Sequence, residues 1–155
     1  MKKSFRSRMT PGTVEKIRLS TNNGLIGYKI VKFQLINKNP HAVDAALVAK
    51  VFTTGTTETG AERTATATVN FTDPTLVAVA AYEDKASSNY PTHETILFDN
   101  VTFNQDIYIS MADADSSTEP GNYYLELEQV KLSKDEATVA TLKDMRAGPD
   151  TNFGS

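Results

Sequence analysis

The sequence predicts an all-β protein: an antiparallel β-sandwich of jelly-roll type, with one short C-terminal helix and extended termini. The first observation is a series of short runs rich in β-branched and aromatic residues, separated by turn signals at intervals of roughly ten residues. The second is that a helical apolar period occurs only near the end of the chain, over 134–146. A length of 155 residues fits one domain with a substantial core.

The chain begins with a basic segment and continues as a strand. Residues 1–13 are predicted to form a basic N-terminal arm, because they are polar and end in a cluster of turn-forming residues. Alternation over Val14–Leu19 predicts a half-buried strand. Asn23-Gly24 then predicts a tight hairpin turn, because both turn residues tolerate a positive φ.

Two further strands and a threonine-rich segment are predicted in the middle of the chain. A long strand is predicted over 26–36, and its apolar face switches at Ile30 and Val31. Such a switch indicates a β-bulge or a strand that is buried on both faces. A strand over 47–53 leads into 53–68, where half of the residues are threonine. Because threonine is β-branched, we expect an extended polar hairpin there rather than disorder.

The second half of the chain carries the remaining strands. The apolar run Leu76–Tyr82 is typical of a central strand. Three further strands are predicted, over 95–98, 107–111 and 123–132. In the last of them, Tyr123, Leu125 and Leu127 share one face, and Tyr124, Glu126 and Glu128 share the other.

One helix is predicted, over 133–146. Ser133 and Glu136 form a capping box at its start, and Gly148 and Pro149 end it. Val139 and Leu142 belong to a narrow apolar stripe, so we expect them to be buried against the sheet or a neighbouring subunit. The predicted organisation is thus an arm over 1–13, a sandwich over 14–146 and a C-terminal tail over 147–155.

The charges are sorted along the chain. The first fifty residues carry ten Lys or Arg and two acids, whereas the rest carry six bases and seventeen acids. The formal net charge of the whole chain is only −3. This division is typical of a protein that docks one end on a partner and exposes the other end to solvent.

No motif in the sequence indicates an enzyme. Signatures of serine nucleophiles and of phosphate-binding loops are absent, and there is no Cys to form disulfides, thiolate metal sites or a nucleophile. We therefore expect neither catalysis nor a cofactor. The N-terminus lacks a signal peptide's apolar stretch, and no run approaches the ~18 apolar residues that span a membrane. We expect synthesis in the cytoplasm and no membrane partner.

Metal binding is not expected either. The two histidines, His41 and His93, show none of the spacings that bind metal ions. The loop Asp113–Glu119 places oxygen-bearing side chains at alternate positions, as a calcium loop does. However, Thr118 and Tyr124 stand where such a loop has its Gly and its bidentate Glu, which favours a solvated acidic loop.

The arm is the candidate partner-binding site. Its residues for this role are Lys2, Lys3, Phe5, Arg6 and Arg8. Such residues grip nucleic-acid phosphates, lie on an acidic protein surface, or simply solubilise a flexible terminus. We expect an acidic protein surface rather than nucleic acid. Because the arm is polar and terminal, its removal is expected to weaken attachment and to leave folding unchanged.

Four stretches, 10–20, 103–108, 122–129 and 138–146, resemble a family of small uncharacterised proteins of tailed phages, chiefly marine ones. The resemblance touches both ends of the chain, leaves the threonine-rich middle uncovered and carries no catalytic motif. It implies a virion protein, most simply a capsid decoration or cement protein on the major capsid protein or another virion protein. The three-fold axes of capsids favour a homo-oligomer that is a trimer.

A carbohydrate- or host-surface-binding module of a phage tail or fibre is the alternative. The side chains that could stack on sugar rings are Tyr82, Tyr90, Tyr123 and Tyr124. Core packing is expected for at least two of these four. A concave site of aromatic and acidic side chains would favour this alternative. Contacts concentrated in residues 1–20 and the C-terminal tail would favour capsid decoration.

Overall fold

The computed structural model describes residues 1–19, 25–40, 42, 44–57, 59–85, 92–98, 101–115 and 119–146, with the backbone alone for 143–146. These residues form eight strands and one helix. The strands are β1 (Lys2–Met9), β2 (Thr13–Ile17), β3 (Ile26–Asn37), β4 (Ala45–Phe52), β5 (Leu76–Asp84), β6 (Thr92–Leu97), β7 (Ile107–Asp113) and β8 (Gly121–Lys131). The helix is α1 (Lys134–Arg146).

The strands form two antiparallel sheets. The three-stranded sheet has the order β1-β8-β3, and the five-stranded sheet has the order β2-β7-β4-β5-β6. In an eight-stranded jelly roll, the first, eighth, third and sixth strands form one sheet and the remaining four form the other. Seven strands follow that order here, whereas β6 pairs with β5. The predicted antiparallel sandwich is confirmed.

The predicted hairpin after the first strand of the sandwich is wrong. β2 pairs with β7 in one sheet, and β3 pairs with β8 in the other, so β2 and β3 do not pair with each other. The Asn-Gly turn itself lies outside the described residues. Alternation identifies which side chains of a strand face the core, but it does not identify the strand with which it pairs. β2 and β3 each pair with a strand that is distant in the sequence.

The predicted bulge in the long strand is confirmed. The register between β3 and β8 shifts between Ile30 and Lys32. Lys29 and Lys32 are three residues apart, so a regular strand would point them to opposite faces. Their partners in the ladder are Glu128 and Glu126, which share a face, so the bulge brings both lysines to that face.

The main core lies between the two sheets. Its largest fully buried side chains come from both layers: Tyr28, Phe33, Leu125 and Leu127 from the three-stranded sheet, and Leu47, Ile107, Ile109 and Met111 from the five-stranded sheet. A smaller apolar cluster lies apart from this core, around Phe52, Leu76 and Val79. The five-stranded sheet is therefore apolar on both faces, which explains the continuous apolar run of β5.

The threonine-rich segment covers the smaller cluster and forms a shorter hairpin than predicted. Within the described part of 53–75, Thr56 and Glu62 form an antiparallel bridge, flanked by hydrogen bonds from Thr57 N to Ala61 O and from Arg63 N to Gly55 O. The predicted polar hairpin is therefore confirmed for the pairing of 55–57 with 61–63, and not over the whole of 53–68. Arg63 belongs to this segment, and its guanidinium lies 3.7 Å from the centre of the Phe52 ring. It donates hydrogen bonds to the main chain and side chain of Thr54 and to the carbonyl oxygen of Thr56.

The helix begins as predicted but packs through a different face. The Ser133 hydroxyl accepts from Glu136 N at 3.1 Å, which confirms the capping box. Burial of Val139 and Leu142 against the sheet is wrong, because these side chains are 64% and 43% exposed, and their burial against a neighbouring subunit stays a prediction. Instead, the buried side chains of the helix are those of Ala137 and Ala140. On the same side, Asn104 Nδ2 donates to Thr141 Oγ1 at 2.7 Å. Small side chains let the helix approach the sandwich closely. An α-helix has about 3.6 residues per turn, so the predicted stripe, in which apolar residues recur every third position, does not stay on one face of the helix.

Candidate docking surface

The predicted N-terminal arm is an edge strand. Each residue of Lys2–Met9 is paired with β8, from Lys2 opposite Glu128 to Met9 opposite Gly121. Met9 is only 2% exposed and belongs to the main core, and Phe5 packs against that core. The sandwich therefore includes residues 2–9, and the boundary predicted at residue 14 is wrong. The predicted tail, 147–155, lies outside the described residues.

Pairing divides the five predicted partner-binding residues between the two faces of the sheet. Lys3 and Phe5 lie on the inner side, where Lys3 Nζ is 5.7 Å from the centre of the Tyr28 ring. Lys2, Arg6 and Arg8 share the outer side, because side chains alternate along a strand. Two of the five thus hold β1 on the sandwich, and three face solvent.

The outer side of the three-stranded sheet collects five basic residues. Lys2, Arg6 and Arg8 come from β1, and Lys29 and Lys32 come from β3 on the opposite side of β8. Between them β8 contributes two carboxylates, Glu126 and Glu128. We call this surface the basic face. Its balance of charge is positive, and it lies on the side of the sheet away from the core.

Short contacts tie the two acids to the neighbouring strands. Lys2 Nζ lies 3.7 Å from a Glu126 carboxylate oxygen, and Lys29 Nζ lies 3.7 Å from one of Glu128. The Tyr124 hydroxyl also donates to Glu126 at 3.1 Å. Within the described part of the chain, Arg6 and Lys32 form no ion pair, so their charges are available to a partner.

The sequence alone missed half of this surface. Strict alternation would place Lys29 and Lys32 on opposite faces, and only the bulge signal at Ile30 and Val31 indicates that they could share one. Glu126 and Glu128 belonged to the acidic half of the chain, which was expected to lie away from the basic half. Instead the two halves meet across β8, because β1 pairs with a strand more than a hundred residues away.

A groove at the other edge of the sheet bears on the carbohydrate alternative. It has a volume of about 440 Å³ between β3 and β6, and its lining includes Gln34, His93, Asn122 and Tyr124. Tyr82 and Tyr123 reach it only with their edges, because they are 4% and 6% exposed. Core packing of at least two tyrosines is therefore confirmed, and Tyr90 lies outside the described residues.

Tyr82 and Tyr123 have raised pKa values. Burial raises the pKa of Tyr82 to about 12, and its hydrogen bond to Asp84 at 3.1 Å adds to the rise. Burial also raises the pKa of Tyr123 to about 12, and the charge of Glu15 adds to it. Both hydroxyls therefore remain protonated donors at neutral pH.

The acidic loop and the histidines form no recognisable metal centre among the described residues, where no cluster of three or more His, Asp or Glu side chains could hold an ion. Asp113 Oδ1 instead accepts hydrogen bonds from Ala46 N and Asp115 N, and Asp115 pairs with Lys85 at 3.2 Å. His41 and residues 116–118 lie outside the described residues, and His93 is exposed on β6.

No helix in the described ranges is both long enough and apolar enough to cross a membrane. Comparisons of the chain with protein-family models, curated proteins and solved structures found no match. Function is therefore inferred from the surfaces of the molecule, of which the basic face has the most distinctive chemistry.

Proposed function

We propose that this chain is a structural virion protein of a tailed phage, a capsid decoration or cement protein that binds the outer shell through the basic face. The observation that carries the proposal is the placement of Lys2, Arg6 and Arg8 on the solvent side of an edge strand. The phage-family resemblance supplies the biological setting. Its partner is then the major capsid protein or another virion protein, and its location is the virion.

Electrostatic complementarity is the physical basis of this docking. A positive face attracts an acidic shell and orients the protein before contact, which raises the association rate and selects among partners. Exposed charges are screened over about 8 Å at physiological ionic strength, so attachment weakens as salt is added. A symmetric homo-oligomer, a trimer at a capsid three-fold axis, would repeat the same contacts on each subunit.

Attachment to purified particles tests the proposal. Particles of the phage that encodes the chain are stripped of it, and the purified protein is added back at several salt concentrations. The double variant Arg6→Glu/Arg8→Glu is expected to bind at least about tenfold more weakly, because each reversal replaces attraction by repulsion of several tenths of a kcal/mol or more. Arg18→Glu makes one of these charge reversals at an exposed position beyond β2 and is expected to bind normally.

Two outcomes would contradict capsid decoration through the basic face. One is the absence of the chain from mass spectra of purified particles. The other is equal binding by the wild type, the double variant and Arg18→Glu, because the basic face would then have no part in attachment.

The groove between β3 and β6 favours a second candidate, a carbohydrate-binding module of a tail or fibre. Tyr124 offers an aromatic surface there, and Gln34 and Asn122 offer the amides that hydrogen-bond to sugar hydroxyls. Binding of host glycans that is lost in Tyr124→Ala and retained in Arg6→Glu/Arg8→Glu would favour this candidate over decoration.

A further inference from the structure

The free edge of β1 presents main-chain groups that can be assigned to particular residues. Gln129 N donates to Met1 O at 2.9 Å, so Met1 and Gln129 form a hydrogen-bonded pair. Along an antiparallel ladder such pairs alternate with pairs that do not exchange hydrogen bonds. The odd-numbered residues of β1 therefore bond to β8, and the main-chain groups of the even-numbered residues, Lys2, Ser4, Arg6 and Arg8, point to the free edge.

The same even-numbered residues direct their side chains to the basic face. An added strand would thus meet main-chain donors and acceptors and the cations of Lys2, Arg6 and Arg8 at the same positions. Residues directly opposite each other in an antiparallel pair share a face and have Cα atoms about 5.5 Å apart when they are hydrogen-bonded. Every second residue of an added strand would therefore lie beside one of these side chains.

At one end of the basic face, charge alternates from strand to strand: Glu128 and Glu126 of β8 lie opposite Lys29 and Lys32 of β3, and Lys2 of β1 lies opposite Glu128. At the other end, Arg6 and Arg8 lie opposite the uncharged Tyr124 and Asn122. Opposite charges that face each other across strands are favourable by roughly 0.2–1 kcal/mol per pair, and like charges are unfavourable. A strand that continues this alternation beyond β1 would carry acids at alternate positions.

The alternatives to an acidic strand at this edge are weaker. A second copy of the chain would place β1 against β1, and its Arg and Lys side chains would face like charges. The far edge of the same sheet is already engaged, because Tyr28 on β3 exchanges hydrogen bonds with Phe103. Thr95 Oγ1 of β6 also donates to Phe33 O at 2.8 Å. Within the described residues, the edge of β1 is the open edge of this sheet.

We propose that β1 binds an extended acidic segment of the partner protein as an additional antiparallel strand. Main-chain hydrogen bonds to Ser4, Arg6 and Arg8 give the affinity, and acids at every second position of the segment give the specificity. This inference rests on the proposed docking function and specifies its partner: a peptide in which Asp or Glu alternates with β-forming residues.

Ser4→Pro is the decisive variant. Proline removes the main-chain N–H of residue 4, which points to the free edge, and it is tolerated in an edge strand where that N–H faces solvent. The ladder to β8 and the charge of the face are retained. Ser4→Ala is the matched control, because it removes the same hydroxyl and keeps the N–H.

The probes are two labelled eight-residue peptides of identical composition, with glutamates either at alternate positions or clustered at one end. Fluorescence anisotropy measures their binding to the full-length protein. The alternating peptide is expected to bind the wild type and Ser4→Ala equally, and Ser4→Pro about tenfold more weakly, because a donor lost from a paired strand leaves its acceptor unsatisfied. The clustered peptide is expected to bind more weakly than the alternating one.

Equal binding of both peptides, unaffected by Ser4→Pro, would overturn strand addition and leave only non-directional attraction. Failure of both peptides to bind would also overturn it, since cations that merely guard an edge against aggregation need no ligand. Attachment to particles separates these failures from failure of the docking function. Loss of attachment in Arg6→Glu/Arg8→Glu but not in Ser4→Pro would retain docking and reject the added strand.

Discussion

Arg63 shows how a single residue can order a long polar segment. Besides its bonds to Thr54 and Thr56, it donates to Thr75 Oγ1 at 3.0 Å and to an Asp73 carboxylate oxygen at 3.4 Å. Thr54 and Thr56 lie at the start of the threonine-rich segment, and Asp73 and Thr75 lie between its end and β5. A planar guanidinium with five donors can hold them together while it stacks on Phe52, which no other side chain can do.

Replacement of Arg63 is therefore expected to destabilise the fold. Arg63→Ala removes the donor to the buried Thr54 carbonyl oxygen together with the hydrogen bonds to Thr56 and Thr75, and should reduce the free energy of unfolding by about 2–4 kcal/mol. Arg63→Lys should also be destabilised, because an ammonium group cannot reproduce the fork. Denaturant unfolding measures both, with exposed Arg18→Ala as a control that is expected to change by less than about 0.5 kcal/mol. Equal stability of Arg63→Ala and Arg18→Ala would show that the segment is held by other contacts.

The raised pKa values of Tyr82 and Tyr123 predict a loss of stability at alkaline pH. An unfolded tyrosine has a pKa of 10.0, and the folded values are about 12, so the folded state favours the neutral phenol. The stability that this preference contributes is complete below pH 10 and is lost as the pH rises toward 12. Denaturant unfolding at pH 8 to 12 should therefore show that the wild type loses more stability than Tyr82→Phe/Tyr123→Phe. Parallel losses in the two proteins would contradict the assignment.

At the scale of elements, β1 differs most from its prediction. Its four charges suggested a solvated arm, yet Phe5 and Met9 are four residues apart and therefore share the face that packs on the core. The alternation was present in the sequence, but the density of cations concealed it. The cations lie on the outer face and at the exposed edge, where charge does not prevent strand formation and protects an edge from aggregation.

Substitutions on the inner face of β1 should consequently reduce the stability of the fold. Met9→Ala is expected to reduce the free energy of unfolding by about 2–5 kcal/mol, because the Met9 side chain is buried in the main core. Ser7→Ala, at an exposed position of the same strand, should change it by less than about 0.5 kcal/mol. If thermal unfolding shows the same midpoint for both variants, residues 1–9 are a free arm after all.

The helix gives a matched test of its packing face. Ala137 is 4% exposed, so Ala137→Leu overfills the contact with the sandwich and should cost about 1–3 kcal/mol. Val139→Leu introduces the same side chain on the exposed face and should cost less than about 0.5 kcal/mol. The opposite order of the two costs would mean that α1 is rotated from the orientation described.

At the scale of the whole molecule, the sequence predicted local structure well and pairing poorly. The helix and seven strands follow from alternation, apolar runs and a capping box, which depend on neighbouring residues. The partner of β1 is β8, more than a hundred residues away, and no local pattern encodes that distance. For the same reason, the sequence predicted three of the cations on the basic face but neither the lysines of β3 nor the acids between them.

The most direct test of the account is amide hydrogen exchange along β1, measured by NMR on the full-length protein with and without the alternating acidic peptide. In the free protein the amides of Lys3, Phe5, Ser7 and Met9 should be protected, and those of Ser4, Arg6 and Arg8 should exchange rapidly. The peptide should then slow the second set. Uniformly rapid exchange from residue 2 to residue 9 would contradict the edge strand, and a second set unchanged by bound peptide would contradict its extension by a partner.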